Sequence, residues 1–341
     1  MRIGVNDNKD TPLKAATALH RVVLPVYIPR LDGYFAHALE VLDLCLESLY
    51  ATAAGQAAVT VVANQCTPEV VDALVAYHRR GRFEQLVVNS ENHGRIDGTL
   101  AAARGSFEEL VTISDSDVLF RHGWPQALEE VFRTYPECGF ASVVPHPGAA
   151  WYCTSATIVG ALATRELSFE RIVSDSDIDR FGWSIGRANW VKPEQRQVQM
   201  VVRRNGLAAC VGCGHFVFTV AREVIASFPT TPCGHPLGGG TDELWVDQPP
   251  DRSGYWRLST PSGYAFHMGN TPEPWMYEEL RASQSAGASA LAPPAPLPPR
   301  KRPRVSRAPW AARNLFVRAL RHAGVHTHAA ERVHTTYATG G

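Results

Sequence analysis

The chain has 341 residues, 45% of them apolar, enough for a large buried core in either two domains or one large α/β domain. Its formal charge is zero, but of 33 basic and 33 acidic side chains nine and one lie beyond residue 281, which leaves 24 and 32 on an acidic body with a basic tail. A neutral whole with an acidic body argues against nucleic acid as the main ligand.

From the N-terminus the chain repeats one theme, a β-branched run, a turn and a helical pattern. Residues 21–27 (RVVLPVY) read as a buried strand and 34–50 as a helix, with Leu39, Leu42, Leu46 and Leu49 on one face. Residues 59–63 (VTVVA) predict a second strand and 68–80 a second helix, in which Thr67 caps, Pro68 suits the first position and Glu69 complements the dipole. A third strand is expected over 83–88, a third helix over 96–104, and a fourth strand over 110–113, ending at Ser114-Asp115-Ser116-Asp117. Strands alternating with helices of this length imply parallel βαβ units.

The middle is less regular. Residues 139–144 and 207–220 read as strands, the second interrupted by glycines, and 174–192 as a long polar loop. Residues 230–240 form a Pro/Gly turn region and 255–268 alternate well enough for two short strands. Composition divides the chain into a body over 1–281, a Pro/Ala/Arg-rich linker over 282–309 and a basic segment over 310–341 that opens with an amphipathic helical pattern. Trp310, Phe316, Val317 and Leu320 fall in one arc of that pattern beside Arg318 and Arg321, although Arg313 intrudes. The arc suits peripheral contact with an anionic membrane surface or packing back on the acidic body.

Three Asp-x-Asp triplets occur, at 115–117, 175–177 and 177–179. Only the first follows a buried strand, at the carboxyl edge where open α/β sheets bind ligands. Two carboxylates so placed can share Mg²⁺ or Mn²⁺ with the oxygens of a diphosphate. The other two lie in the polar loop and read as loop acids. Cys210, Cys213 and His215 with Cys233 and His235 are zinc-type residues, but the first three fall along one strand, where alternate side chains point to opposite faces. Seven cysteines in all, no apolar run of about 18 residues and no apolar stretch in the first 20 lead to the expectation of a cytoplasmic protein with reduced thiols, its basic tail allowing peripheral contact with the inner membrane face.

The segment 87–120, VVNSENHGRIDGTLAAARGSFEELVTISDSDVLF, resembles the donor-binding segment of family 2 glycosyltransferases. Asn92-His93-Gly94, the helix ending near Gly105 and the apolar strand into Asp115-x-Asp117 carry the resemblance, and the strands holding Pro25-Val-Tyr27 and VTVVANQC are similar to the family's first two. Asn64-Gln65 stand where the family commonly has an acidic residue. The resemblance implies a Rossmann-like GT-A fold, with a mostly parallel central sheet flanked by helices, and an inverting transfer of sugar from a nucleotide-sugar to a hydroxyl of a carbohydrate or lipid-linked acceptor. It implies a divalent cation on Asp115, Asp117 and His267, and a donor held by Pro25, Tyr27, Asn64, Asn92, Arg95 and Ser116. Gly238-Gly239-Gly240-Thr241-Asp242-Glu243 is similar to the family's acidic motif, which makes Asp242, and after it Glu243, the expected general base. Two other functions fit the same architecture. A sugar-phosphate nucleotidyltransferase would need a Gly-rich basic loop where this chain has Pro29-Arg30-Leu31-Asp32-Gly33, and a non-catalytic module docking partners through the tail would hydrolyse no nucleotide-sugar.

Overall fold

A computed structural model of the chain describes residues 3–7, 9–12, 18–187, 189–286 and 296–338, with side chains described as far as residue 332. Residues 287–295 of the expected linker, 339–341 of the expected tail and several of the first 17 lie outside the described residues. The strands are β1 His20–Val26, β2 Ala57–Asn64, β3 Gln85–Asn89, β4 Leu110–Ser114, β5 Val118–Phe120 and β6 Cys138–Ser142. They continue with β7 Leu167–Glu170, β8 Gln199–Arg204, β9 Leu207–Val211, β10 Val217–Ala221, β11 Trp256–Ser259 and β12 Ala265–His267.

Ten of these form one sheet in the order β3-β2-β1-β4-β10-β6-β11-β9-β8-β7. β3, β2, β1 and β4 are mutually parallel, as are β6 and β11. β10, β9 and β7 run against their neighbours, so seven of the ten strands share one direction. This is the Rossmann-like α/β class expected above. The order reverses at β1, where the chain passes from β2 on one side to β4 on the other, and such a switch opens a crevice beyond the carboxyl ends.

β1 is apolar on both sides because both sides are covered. Val22, Leu24 and Val26 pack with Leu42, Cys45 and Leu49 of the helix Ala38–Ala53, while Val23 packs with Ile96, Leu100 and Ala103 of the helix Arg95–Arg104. The helix Pro68–Arg79 starts as its sequence implies: Thr67 Oγ1 accepts from the Val70 N–H and Pro68 takes the first position.

The expected loop over 174–192 is instead partly helical, from Asp175 to Ser184. Ser174 caps this helix by accepting from the Asp177 N–H, with Asp175 and Asp177 in its first turn. The acids that read as loop chemistry are therefore N-terminal helix chemistry, favoured by the positive end of the dipole.

The C-terminal segment is docked on the body. Arg300 donates to the carbonyls of Phe132 and Cys138, and Ser306 Oγ to that of Ala156. In the helix Trp310–His322, Trp310 Nε1 donates to Asp251 Oδ2 at 2.9 Å, Arg313 bonds the Asp251 carbonyl, and Val317 is buried. The arc identified in sequence thus largely faces the protein, and the intruding Arg313 is one of its anchors. Leu315 and Phe316 face outward, 71% and 47% exposed. Among the described residues no helix is long and apolar enough to cross a membrane.

Candidate active site

β4 delivers Asp115 and Asp117 to the carboxyl edge of the sheet. The antiparallel ladder between β4 and β10 continues one step past the strand, with the Asp115 N–H donating to the Phe216 carbonyl at 2.7 Å. Residues 215–216 are thereby fixed beside the first aspartate. A second ladder, β5 with β12, aligns His267 with Val118, and the Met268 N–H donates to the Asp117 carbonyl at 2.8 Å. That register brings His267 Nε2 to 3.5 Å from Asp117 Oδ2.

The third approach comes from helix Arg95–Arg104. Gly94, at φ +76°, turns the chain into this helix, and a Cβ there would lie 3.0 Å from Pro236 Cα and from the His235 carbonyl oxygen. Only glycine lets the 233–240 loop cross so closely. The crossing is sealed by the Arg95 N–H donating to the Pro236 carbonyl at 3.0 Å. Three successive left-handed glycines, Gly238, Gly239 and Gly240 at φ +75°, +63° and +75°, then lead into a π-helical turn, Asp242–Asp247. Its i→i+5 spacing sets residues five apart near one another on the same side, and such turns recur at functional sites.

Arg95 joins these approaches. Its Nε donates to Asp115 Oδ1 at 2.6 Å, one terminal nitrogen to Asp242 Oδ1 at 2.5 Å, and the other to the His215 carbonyl at 2.6 Å. Burial disfavours its charge, but Asp115 and then Asp242 outweigh that cost and hold the guanidinium more firmly protonated than usual. Residues separated by 20 and 147 positions thus meet on one side chain.

Asp117 is different. Among the described residues its buried Oδ1 has no hydrogen-bond partner, and neither has the buried Nδ1 of His267. Burial pushes the carboxyl up to about 6, helped by Asp115 and opposed by His267 and Arg95. A hard carboxylate oxygen buried without a partner suits a divalent cation. Among the described residues no three His, Cys, Asp or Glu side chains converge as a metal cluster. Asp117 and His267 would therefore supply two ligands, leaving the rest to substrate oxygens and water, while Asp115 is engaged by Arg95.

The remaining expected residues divide. Asn64 is buried, donating to Asn92 Oδ1 at 2.9 Å and accepting from the His93 N–H at 3.0 Å, and Asn92 Oδ1 also accepts from the Gly94 N–H. Both amides shape the loop that aims Arg95. Ser116 and Pro25 are half-buried, and Tyr27, 42% exposed just past β1, stands edge-on to Phe35. Glu243 is exposed and accepts from Gln248 at 2.8 Å, away from the Arg95 contacts. The zinc-type residues do not gather: Cys210 and Cys213 lie in separate apolar clusters, and Cys233 donates its N–H to Asp97.

Sequence reasoning missed a second charged group beside the first. His215 Nδ1 lies 3.0 Å from Asp247 Oδ2, Tyr152 OH donates to the same oxygen at 3.1 Å, and Arg257 bonds the other. Asp247 and Arg257 are completely buried. Burial raises Asp247, but Arg257 and then His215 draw it below the usual carboxylate range. His215 is raised: burial works against its charge and Asp247 more than compensates. The only sequence cue was the recurrence of acids at 242 and 247, five apart, a spacing an ordinary helix does not place on one face.

No family model matches the chain, and no curated protein matches it. Among solved structures it is similar to the mannosyltransferase PcManGT from Pyrobaculum calidifontis, in complex with GDP-Man and Mn²⁺, at 14% identity and a TM-score of 0.40 over 98% of this chain and 80% of that one. It is also similar to S. aureus TarS 1-349 in complex with UDP, at 11% identity and a TM-score of 0.42 over 78% and 64% of the two chains. A longer S. aureus TarS structure matches at 16% identity and a TM-score of 0.30, over 37% of this chain, which spans about a fifth of that one.

Proposed function

We propose that this protein is a metal-dependent, inverting glycosyltransferase using a nucleotide-sugar donor. The observation that carries it is the convergence of Asp115, Asp117, Arg95, Asp242 and His267 at the carboxyl edge of the parallel strands, with one guanidinium between two carboxylates and, beside it, an aspartate whose Oδ1 has no partner among the described residues.

A cation held by Asp117 and His267 would neutralise charge gathering on the departing diphosphate. Arg95 adds a fixed positive charge that needs no reorganisation as that charge grows. The acceptor hydroxyl oxygen forms a bond to the anomeric carbon as the bond from that carbon to the donor phosphate oxygen breaks. The electron pair leaves with the nucleoside diphosphate, and the hydroxyl proton passes to the Asp242 carboxylate. Attack opposite the leaving group inverts the anomeric centre. Arg95 also orients Asp242, so donor grip and proton acceptor are set by one side chain. The body over 1–281 carries this chemistry, and the docked segment beyond it braces the body through Phe132, Cys138, Ala156 and Asp251.

The test is a thermal-shift panel of nucleoside diphosphates and their sugars, with and without Mn²⁺, on the full chain and on Asp117→Asn. The expected result is Mn²⁺-dependent stabilisation by one base, lost in the variant with its circular dichroism unchanged. Donor hydrolysis at an unaltered rate in Asp117→Asn, or no stabilisation by any nucleotide, would sink the proposal.

A further inference from the structure

Beside His267 lies a cavity of about 480 Å³ that the donor chemistry does not use. Its walls come from the helix Asp175–Ser184, from β12, and from the start of the helix Pro274–Ala286. The side chain flanking Asp117 is thus also a wall of this second space, so an occupant would sit next to the proposed transfer site.

The wall chemistry is selective. Phe266 and Trp275 meet edge to face, with Arg180 lying over both rings at 4.6 and 5.4 Å. Trp183 is 53% exposed, a large aromatic face at the cavity that no packing demands. Asp177 supplies a carboxylate: Ser174 Oγ donates to its Oδ2 at 2.9 Å, and a Cβ on Gly263 would come within 2.6 Å of its Oδ1. Glycine at 263 is what leaves room for that oxygen at the cavity wall. Asp179, already paired with Arg196, and Glu273 join it there, and Arg180 and Arg121 lie over the Phe266 ring.

Aromatic faces with a few fixed acceptors suit a molecule that has an apolar C–H face and a rim of hydroxyl donors. Among the described residues Asp177 pairs with no cation, so its carboxylate repels a phosphate or carboxylate placed beside it by like charge. We infer that this cavity is the acceptor subsite and that it takes an uncharged pyranose, stacked on Trp183 with hydroxyls donated to Asp177. The assignment rests on glycosyl transfer at the adjoining site, and it selects a neutral glycan over an acceptor with a phosphate next to the reacting sugar.

Saturation-transfer NMR on the full chain, with methyl gluco-, galacto-, manno- and N-acetylglucosaminides and their 6-phosphates, tests it. At least one neutral glycoside should bind in the roughly millimolar range, its 6-phosphate at least about fivefold more weakly. Trp183→Ala should weaken the glycoside about tenfold, and Asp177→Asn should narrow the gap to the phosphate. Nucleoside diphosphate stabilisation, measured in parallel, should be unmoved in Trp183→Ala. Binding of no glycoside, equal or tighter binding of the phosphate, or indifference to Trp183→Ala would overturn the subsite while leaving the donor site standing. Glycoside binding with no nucleotide binding would instead remove the transferase and with it the acceptor role.

Discussion

Replacing Asp247 with Asn should expose how much of the site depends on a single buried charge. Asp247 and Arg257 are both fully buried, and the carboxylate also takes His215 and Tyr152. Asparagine keeps the shape but removes the charge that compensates the guanidinium. Breaking a buried pair from one side costs about 3–5 kcal/mol, because the other ion stays desolvated. Removing both charges with Asp247→Asn/Arg257→Met eliminates that orphan while keeping much of the arginine stem's volume, so the double variant should recover about 2 kcal/mol or more. The measurement is urea unfolding followed by tryptophan fluorescence. Its pH dependence adds a second check. His215 is raised in the folded state, so its stabilising pairing is fully present below its unfolded value of about 6.5 and fades as pH rises through the folded one. Asp247 is depressed, so its own contribution is present above about pH 3.9 and fades only as pH falls through its folded value. The gap between wild type and Asp247→Asn should therefore widen from pH 8.5 to pH 6. A gap under about 1 kcal/mol, or a double variant no better than the single, would show that the cluster is not a coupled unit.

Arg95→Lys keeps a charge but loses the fork that reaches Asp115, Asp242 and the His215 carbonyl together. Donor turnover should fall about a hundredfold with a smaller loss of nucleotide affinity, since two oriented charge-assisted bonds worth roughly 1.5 kcal/mol each disappear; calorimetry of nucleoside diphosphate binding beside a hydrolysis assay separates the two. His146, packed against Trp190 and Phe181, is pushed down to about 4 by burial and then by His215 and Arg257, against the pull of Asp247. Stability should drop by up to about 3 kcal/mol as pH falls from 6.5 to 4, because only the unfolded chain takes up that proton, and His146→Gln should flatten this part of the melting-temperature profile. Gly240→Ala meets no atom of the described residues within 4 Å, so its cost is the backbone's alone, about 1 kcal/mol at φ +75°; circular dichroism melts should show that loss, together with slower donor hydrolysis from a displaced Asp242.

What could be read in advance follows the range of the forces involved. β1, β2 and β4 and their helices were visible because these strands are buried under nearby helices, so local apolar runs and the Thr67-Pro68 cap carry their own structure; β3, at the sheet edge, showed through its short β-branched run. The helix Asp175–Ser184 was not visible, because Ser and Asp serve a turn and a first helical turn equally well, and what decides is the later burial of Ile178 and the packing of Phe181 on Phe216 and Trp190. Arg257 hid inside WRLS, where alternation would call a charged residue exposed; it is buried because Asp247, ten residues earlier, is carried beneath it by the π-helical turn.

The position of His267 shows the same limit at the heart of the site. Nothing local distinguishes it from any histidine at a strand end. Its nearness to Asp117 comes from the pairing of three-residue strands 147 positions apart, Val118 opposite His267, and a slip of one residue would turn its ring to the other face. That register is held by the Arg121 N–H donating to the Tyr264 carbonyl at one end and the Met268 N–H donating to the Asp117 carbonyl at the other. The same short ladder closes the cavity wall through Phe266, so the geometry of the donor-side aspartate and of the proposed acceptor space is one property of the fold. A change that loosens β12 should therefore impair both together, whereas changes at Arg95 or Trp183 should impair them singly.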